Sequence, residues 1–183
     1  IHLNYGVNPD IAVFAKSMAN GYAMASVIGT EKVMSSAQSS FISSTNWTER
    51  IGPVAALATI KKYISKNVAE HIIKIGNDVK SVWSKMAENH RLSINVSGLP
   101  TLAAFSFTNE NNQAMMTLFT IEMLKKGFLG FRQFKSSFAH TSDDISKYEK
   151  AVDDVFQKIS ITSIDELLST PVAHSGLYRL TKE

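Results

Sequence analysis

The fold is decided by the stretch at residues 8–30, which has the sequence NPDIAVFAKSMANGYAMASVIGT. Its first half contains a short apolar run, residues 11–15, and such a run predicts a buried strand. Lys16 follows at the point where that strand should end, and a loop of small residues comes after it. A second apolar run, residues 24–28, predicts a second strand that closes at Gly29. We therefore expect two strands joined by a loop that carries a lysine.

A lysine in this position has two interpretations. If the strand delivers Lys16 into a buried loop, desolvation favours the neutral amine, which is the nucleophilic form. A neutral amine is what a lysine needs to form a Schiff base with an aldehyde. The alternative is a solvated lysine at the end of a strand, since most lysines are exposed. The spacing of the residues leaves both interpretations open.

The second informative stretch is SSTNWTERIGP, residues 43–53. Its hydroxyl side chains come just before Pro53, and proline is favoured at the first position of a helix. Hydroxyls and free backbone amides near a helix start suit a phosphate dianion. Capping and turn formation use the same residue types. The stretch predicts a helix from Pro53, with an anion site in front of it as one of two interpretations.

The rest of the chain predicts an α/β architecture followed by a smaller α+β unit. Thr30 is expected to cap a helix that runs to about Gln38, and residues 39–48 are expected to form a strand and a loop. Apolar side chains within residues 68–86 recur at spacings of three and four, which predicts one face of a long helix.

The smaller unit is expected from about residue 94. The pattern predicts a break at residues 97–100, a strand at 102–107, a helix stopped by Gly127 and a short strand at 128–131. Thr141 and Asp144 form a capping-box pattern before the last long helix.

Composition excludes several classes of function. The 183 residues carry a net charge of +3, and the longest basic cluster is two lysines, which argues against a nucleic-acid or anionic-membrane surface. The chain has no cysteine, which excludes disulfides and thiolate metal sites and fits a cytoplasmic protein. The five histidines show no metal-ligand spacing. No apolar run approaches the roughly 20 residues of a membrane-spanning helix.

The stretch around Lys16 resembles the cofactor-lysine segment of class III pyridoxal-phosphate aminotransferases. In that family Pro-Asp and an apolar residue precede the lysine, and a Gly-Gly-apolar-Pro sequence follows it. Here Asn20 stands for the first glycine and Ala23 for the proline. These departures also occur in the branch that resembles glutamate-1-semialdehyde aminomutases, and the end of the chain, residues 172–181, looks like the end of the same branch.

The resemblance implies an α/β fold, the C-terminal part of a fold type I PLP-dependent transferase. Residues 1–90 would form the C-terminal half of the large cofactor domain, and residues 91–183 the small α+β domain. Because the chain starts with Ile1 and the family's other cofactor contacts would lie upstream, we expect a fragment of a longer enzyme that is inactive alone.

The resemblance also implies site residues and a cofactor, pyridoxal 5'-phosphate. Lys16 would hold it as an internal aldimine and then move a proton as general base and acid. A family threonine five residues before the proline of the second stretch contacts the phosphate bound by the neighbouring subunit. That position is Thr48 here, and Thr45 is the second candidate. The implied function is amino-group transfer by a cytoplasmic homodimer, as an aminotransferase or an aminomutase, on a small amino-acid or amino-sugar-like substrate.

Two other readings of function stay open. The chain could be a non-catalytic dimerisation or scaffold domain of the same fold, or another PLP Schiff-base enzyme such as a decarboxylase. Arg132 is a weaker candidate for binding a substrate carboxylate, since an arginine can bind one bidentately. His140 is expected to have a structural role near the cap of the last helix.

Overall fold

The computed structural model describes residues 2–46 and 48–176, without the side chains of Asn4 and Asp165. Its contacts divide the chain into two compact units, of which the first ends at Val68 and the second begins at Ala69. Both strands and helices occur in each unit, as the predicted fold class requires. The expected division into domains near residue 90 stays a prediction.

The first unit contains a two-stranded antiparallel sheet and two helices. β1 (Ile11–Phe14) pairs with β2 (Ser26–Gly29), and α1 (Glu31–Met34) and α2 (Ile51–Ser65) follow in the chain. Ile11 lies opposite Gly29, and the amide of Thr30 donates to the carbonyl oxygen of Asp10 at 3.0 Å, which closes the end of the hairpin. Both predicted strands are thus confirmed.

The predicted burial of these strands is wrong. Val13 is 67% exposed, and Ile11, Phe14, Val27 and Ile28 are exposed as well. A two-stranded sheet has two faces, and the described elements of this unit cover little of either one. The apolar runs formed strands because of their β propensity, without a core to bury them.

The segment after Thr30 also differs from the expectation. α1 ends at Met34, a 3-10 turn follows at Ser35–Ser39, and no strand forms in the described part of residues 39–48. The hydroxyls of Ser39 and Ser40 both donate to the carbonyl oxygen of Ser36, at 3.0 and 3.1 Å. Serine side chains that bond to nearby backbone in this way compete with regular secondary structure.

α2 begins two residues earlier than predicted. Its first residue is Ile51, so that Pro53 occupies the third helical position instead of the first. This position is still within the first turn, where a missing N–H removes no intrahelical hydrogen bond.

The second unit is a three-stranded antiparallel sheet with helices packed against it. In chain order its elements are α3 (Val68–Asn89), β3 (Ile94–Leu99), β4 (Leu102–Phe107), α4 (Asn112–Lys125), β5 (Gln133–Phe134), α5 (Ser142–Ile161) and α6 (Ile164–Leu167). The order across the sheet is β3-β4-β5. The predicted long helix, the strand at 102–107 and the capping box of Thr141 and Asp144 are confirmed.

Two expectations for this unit are wrong. Residues 97–99 of the expected break belong to β3, which continues to Leu99 because Gly98 adopts a φ of +77° and so passes close to the carbonyl oxygen of Leu102, and the turn to β4 begins only at Pro100. No strand forms at residues 128–131. The edge strand is β5 instead, with Phe134 opposite Ala103, because the amide of Phe128 still bonds to the end of α4.

The core of the second unit is an aromatic cluster centred on Phe105 of β4. The rings of Trp83, Phe107, Phe119 and Phe156 lie 4.8–5.9 Å from that of Phe105, centroid to centroid. These rings come from α3, β4, α4 and α5, so Phe105 contacts all three long helices of the unit. The indole of Trp83 also donates a hydrogen bond of 2.9 Å to the hydroxyl of a tyrosine on α5.

Gly76 tests the packing of α3 against the β3–β4 turn. A Cβ added at Gly76 would lie 1.7 Å from the carbonyl oxygen of Pro100, a backbone atom that no side-chain rotation can move away. We expect Gly76→Ala to lower the free energy of unfolding by about 3 kcal/mol, measured by urea denaturation. Ser84→Ala, at an exposed position on the same helix, is the control and should change it by less than about 0.5 kcal/mol. Equal effects of the two substitutions would contradict this close approach.

Candidate active site

Lys16 lies directly after β1, at the first residue of a 3-10 turn. Its backbone φ is +54°, in the left-handed region that residues other than glycine seldom adopt. Asn20 and Gly21 have positive φ as well, of +44° and +106°. The amide of Met18 donates to the carbonyl oxygen of Ala15 at 3.2 Å and closes the turn. The chain therefore leaves β1 through a tight loop with an unusual backbone at the lysine itself.

The side chain of Lys16 is exposed in the part of the chain that the structure describes, which agrees with the second interpretation, a solvated lysine at the end of a strand. The buried residue of the loop is Ala19, which is 1% exposed. The desolvation argument for a neutral amine consequently finds no support within this unit. The exposed amine is, however, within reach of an incoming aldehyde.

An apolar cavity opens beside this turn. Its volume is about 580 Å³, and Ala15 and Ser17, the two neighbours of Lys16, are in its wall. Further lining comes mainly from Phe14, Ile28, Ile60 and Tyr63. The turn that carries Lys16 also contacts α2. The residues on either side of Lys16 thus line a cavity that β1, β2 and α2 form together.

The two predicted phosphate residues lie in the loop before α2. Thr45 and Thr48 are both exposed, and neither hydroxyl bonds to another group in the part of the chain that the structure describes. Trp47, between them, lies outside the described residues. Both hydroxyls could therefore donate to an anion, and their role in binding phosphate stays a prediction.

The start of α2 differs from the anion site that the sequence suggested. The carboxylate of Glu49 accepts hydrogen bonds from the amides of Ile51 and Gly52, the latter at 3.0 Å. Pro53 has no amide hydrogen, and the amide of Val54 makes the first intrahelical bond at 3.1 Å. Of the two interpretations of this stretch, capping of the helix agrees with these contacts, because a side chain of the same chain already satisfies the two amides.

Sequence reasoning missed this role of Glu49. The available signal was its position, since an acid just before a helix start can accept from the first amides of that helix. A cavity of about 520 Å³ lies in front of the helix, and Glu49 lines it together with Tyr22, Met24, Ser44, Asn46 and Pro53.

The weaker candidates lie in the second unit. The guanidinium of Arg132 lies 5.3 Å from the ring centroid of Phe131 and is exposed, so it remains a candidate for binding an anion. His140 lies just before the capping box of α5. Its Nδ1 accepts from the amide of Ser137 at 3.0 Å, and its carbonyl oxygen lies 3.0 Å from Nε2 of His71. These contacts support the structural role expected of His140.

The end of the described chain packs on α4. The side-chain amide of Gln113 donates to the carbonyl oxygen of Ala173 at 2.8 Å, and the amide of Ala173 donates to the hydroxyl of Thr117 at 3.1 Å. Of the resembling end segment, residues 177–181 lie outside the described residues. Within the described residues, no helix has the length and apolar character to cross a membrane, and no group of acids and histidines could bind a metal ion.

Comparison with known proteins identifies the family. The family model for aminotransferase class-III matches residues 1–154. The chain is 32% identical over 107 residues to a 3-aminobutyryl-CoA aminotransferase of Cloacimonas acidaminovorans, a match over 58% of the chain and 26% of the relative. It is 22% identical over 156 residues to an aminopentol aminotransferase of Sphingopyxis macrogoltabida, a match over 84% of the chain and 37% of the relative.

Solved structures agree on the fold. The internal aldimine form of the FumI protein from Sphingopyxis sp. MTA144 gives a TM-score of 0.79 at 22% identity, over 86% of this chain and 39% of that one. An S-selective transaminase from Arthrobacter sp. with alanine bound gives 0.75 at 19% identity, over 89% and 41%. The chain thus spans about a quarter to two fifths of the length of these relatives.

The family match confirms the predicted class, and the structural matches confirm the predicted fold of a PLP-dependent transaminase. The cofactor that this family implies is pyridoxal phosphate. Because the family model covers residues 1–154, the chain belongs to the class III aminotransferase family.

Proposed function

We propose that this chain is the C-terminal part of a pyridoxal-phosphate-dependent aminotransferase in which Lys16 is the residue that binds the cofactor covalently. The observation that carries the proposal is the position of Lys16, an exposed lysine directly after β1 whose two chain neighbours line an apolar cavity. When bound, the cofactor supplies an electron sink for a carbanion next to the amino group.

The chemistry of Lys16 needs only its amine. Nζ of Lys16 would hold the cofactor covalently in the resting enzyme. After release by an incoming amine, Nζ would take a proton from the substrate as general base and return one as general acid. A lysine at a turn can perform both steps because its long side chain reaches over the loop while the backbone remains fixed.

The backbone of Lys16 supports a chemical role. A left-handed conformation costs an L-residue about 1–2 kcal/mol, and glycine would avoid that cost. Residues held in such conformations cluster at functional sites, where the surrounding structure holds them in place. The strained position is occupied by the residue that carries an amine.

The described residues fit the two ends of the cofactor unequally. The amine of Lys16 suits the aldehyde, and the hydroxyls of Thr48 and Thr45 suit the phosphate. The amides of α2 do not suit the phosphate, since Glu49 occupies them. We therefore propose Thr48, with Thr45 as the second candidate, as phosphate contacts through their side chains.

We further propose a homodimer in which Thr48 contacts the phosphate bound by the other subunit. α2 begins just after Thr48, and it exposes a series of large apolar side chains. Leu57 is 59% exposed and Ile64 is 73% exposed, and Ile51 and Val54 are exposed as well. An interface core is the usual place for such residues. A second copy of the chain would cover them and bring the two half-sites together.

The proposed reaction moves an amino group from one small molecule to another. The names of the relatives, a 3-aminobutyryl-CoA and an aminopentol aminotransferase, support transfer between separate molecules. A shift within one molecule, as in the branch that resembles glutamate-1-semialdehyde aminomutases, stays a prediction. The division into a large domain up to residue 90 and a small domain from residue 91, and a cytoplasmic location, belong to the same proposal.

Borohydride trapping tests the role of Lys16. In the full-length protein incubated with pyridoxal phosphate, reduction should leave a pyridoxyl group on the peptide that contains Lys16, as detected by mass spectrometry. Lys16→Ala should remove this label and nearly all amino transfer. Lys32→Ala, at an exposed lysine on α1, should change neither. A wild-type label and turnover in Lys16→Ala would refute the proposal.

The same protein separates the alternative functions. Amino transfer without release of carbon dioxide supports an aminotransferase, and release of carbon dioxide supports a decarboxylase. A labelled Lys16 without turnover on any amine would favour the non-catalytic domain. Conversion of one molecule without a separate amino acceptor would support the aminomutase.

The strained backbone at Lys16 is tested by two substitutions that both remove the amine. Lys16→Gly should give a protein that is more stable than Lys16→Ala by about 1 kcal/mol, because only glycine adopts the positive φ without steric cost. The measurement is urea unfolding of both variants without cofactor. The pair Lys32→Gly and Lys32→Ala is the control, and there alanine should be the more stable. A more stable Lys16→Ala would show that the left-handed backbone is not formed.

Mixed subunits test the action of Thr48 across the dimer interface. Lys16→Ala and Thr48→Val homodimers should both be nearly inactive. When the two variants are unfolded and refolded together, random pairing gives hybrids with one intact site, and about a quarter of wild-type activity should return. If Thr48 acted within its own subunit, one site of each hybrid would lack Lys16 and the other would lack Thr48, so no activity would return. Absence of hybrids in native mass spectrometry would contradict the homodimer itself.

A further inference from the structure

We propose that Glu49 is a built-in anion that closes the start of α2 to phosphate and so limits the affinity of the site for phosphate-bearing molecules. The inference rests on the proposed function, which places a phosphate near Thr45 and Thr48. It goes beyond that function because it assigns a role to an acid that opposes the binding of the anion.

The carboxylate of Glu49 is positioned by the backbone on both sides of it. The amide of Glu49 donates to the carbonyl oxygen of Asn46 at 3.1 Å, which forms a turn immediately before the helix. One carboxylate oxygen then accepts from the amide of Ile51 and the other from that of Gly52. Both oxygens are therefore used, each on a different amide.

Within residues 51–54 of α2, no amide is left for a second anion. The third helical residue is Pro53, which has no amide hydrogen, and the amide of Val54 already bonds within the helix. These four residues thus have two amides that could bind an external anion, and Glu49 occupies both of them. A phosphate could reach these amides only after the carboxylate had moved away.

Electrostatics act in the same direction. The partial positive charge at a helix start stabilises one negative group, and Glu49 already supplies it. A phosphate dianion beside the carboxylate would be repelled, and because Glu49 is exposed, solvent reduces this repulsion without removing it. The acid therefore opposes phosphate twice, by occupying the amides and by its charge.

Lack of space is not what excludes an anion. The cavity in front of the helix has a volume of about 520 Å³, and Tyr22, Ser44 and Asn46 bring polar groups to its wall. These side chains could take part in binding a small anion, and Glu49 is the only acid among the residues that line this cavity. Removal of its charge should consequently raise the affinity of this site for phosphate.

Two substitutions separate the effects of charge and of occupied amides. Glu49→Gln removes the charge but keeps an oxygen that can accept from an amide. Glu49→Ala removes the charge and frees both amides. In the full-length protein we expect the dissociation constant of pyridoxal phosphate to fall by about five- to thirtyfold in Glu49→Gln, and further in Glu49→Ala. Calorimetric titration measures these constants, and inorganic phosphate should compete better in both variants than in the wild type.

Pyridoxal without its phosphate is the control ligand. Because it lacks the anion, its affinity should be the same in the wild type and in both variants. Glu31→Gln is the control variant, since it neutralises an exposed acid at the start of α1. It should leave the affinity for both ligands unchanged. Thermal melts of each variant show that it is folded, and Glu49→Gln keeps the test valid if Glu49→Ala loses its helix cap and unfolds.

The outcomes distinguish this inference from the proposed function. Unchanged or weaker binding of pyridoxal phosphate in Glu49→Gln would overturn the inference, and so would an equal gain for pyridoxal. The proposed function would stand in each case if borohydride still labelled Lys16. If the wild type were not labelled at Lys16, the proposed function would fail. The dissociation constants of inorganic phosphate for the wild type and for both variants would then decide whether Glu49 blocks an anion.

Discussion

The second unit depends on the burial of one ring, that of Phe105. This side chain lies in the middle of β4 and contacts rings from α3, α4 and α5, so that every long helix of the unit packs on the same strand. Burial of an aromatic side chain of this size contributes about 2–3 kcal/mol, and edge-to-face contacts add to it. The hydrogen bond between Trp83 and Tyr148 satisfies the polar atoms that this packing buries. Burial in turn raises the pKa of Tyr148 to about 12, so the hydroxyl stays protonated.

The first unit has no comparable core. Among its described residues only Ala19, Gly52 and Ala56 are buried, and all three are small. Its local structure is set by backbone hydrogen bonds of the hairpin, by left-handed residues in the loop and by the cap that Glu49 places on α2. The candidate site is therefore formed by local backbone geometry, whereas the second unit is formed by side-chain packing. Loops that carry functional residues commonly depend on such local constraints.

This contrast explains which features could be predicted from the sequence. The apolar face of α3 and the capping box at Thr141 were predictable, because each follows from a spacing along one helix. The continuation of β3 through Gly98 was not predictable, since a glycine usually indicates the end of a strand. Here the strand needs a glycine at this position because the backbone of β4 lies too close to leave room for a side chain. The predicted position of Lys16 after a strand was confirmed. Its burial or exposure could not be predicted, because an apolar run predicts a strand but does not show what covers it.

Glu49 shows the limit of composition as a guide to a binding site. Hydroxyls before a helix start are typical of phosphate sites, and residues 43–53 contain several of them. The same stretch contains an acid, Glu49, next to the helix. Its carboxylate is attached to the chain close to the amides of Ile51 and Gly52 and binds both of them. Such an anion pays little entropy to bind, whereas a free phosphate must be ordered from solution. An acid at this position is therefore expected to take the amides first, and a prediction of a phosphate site at a helix start must first account for each acid within reach of its amides.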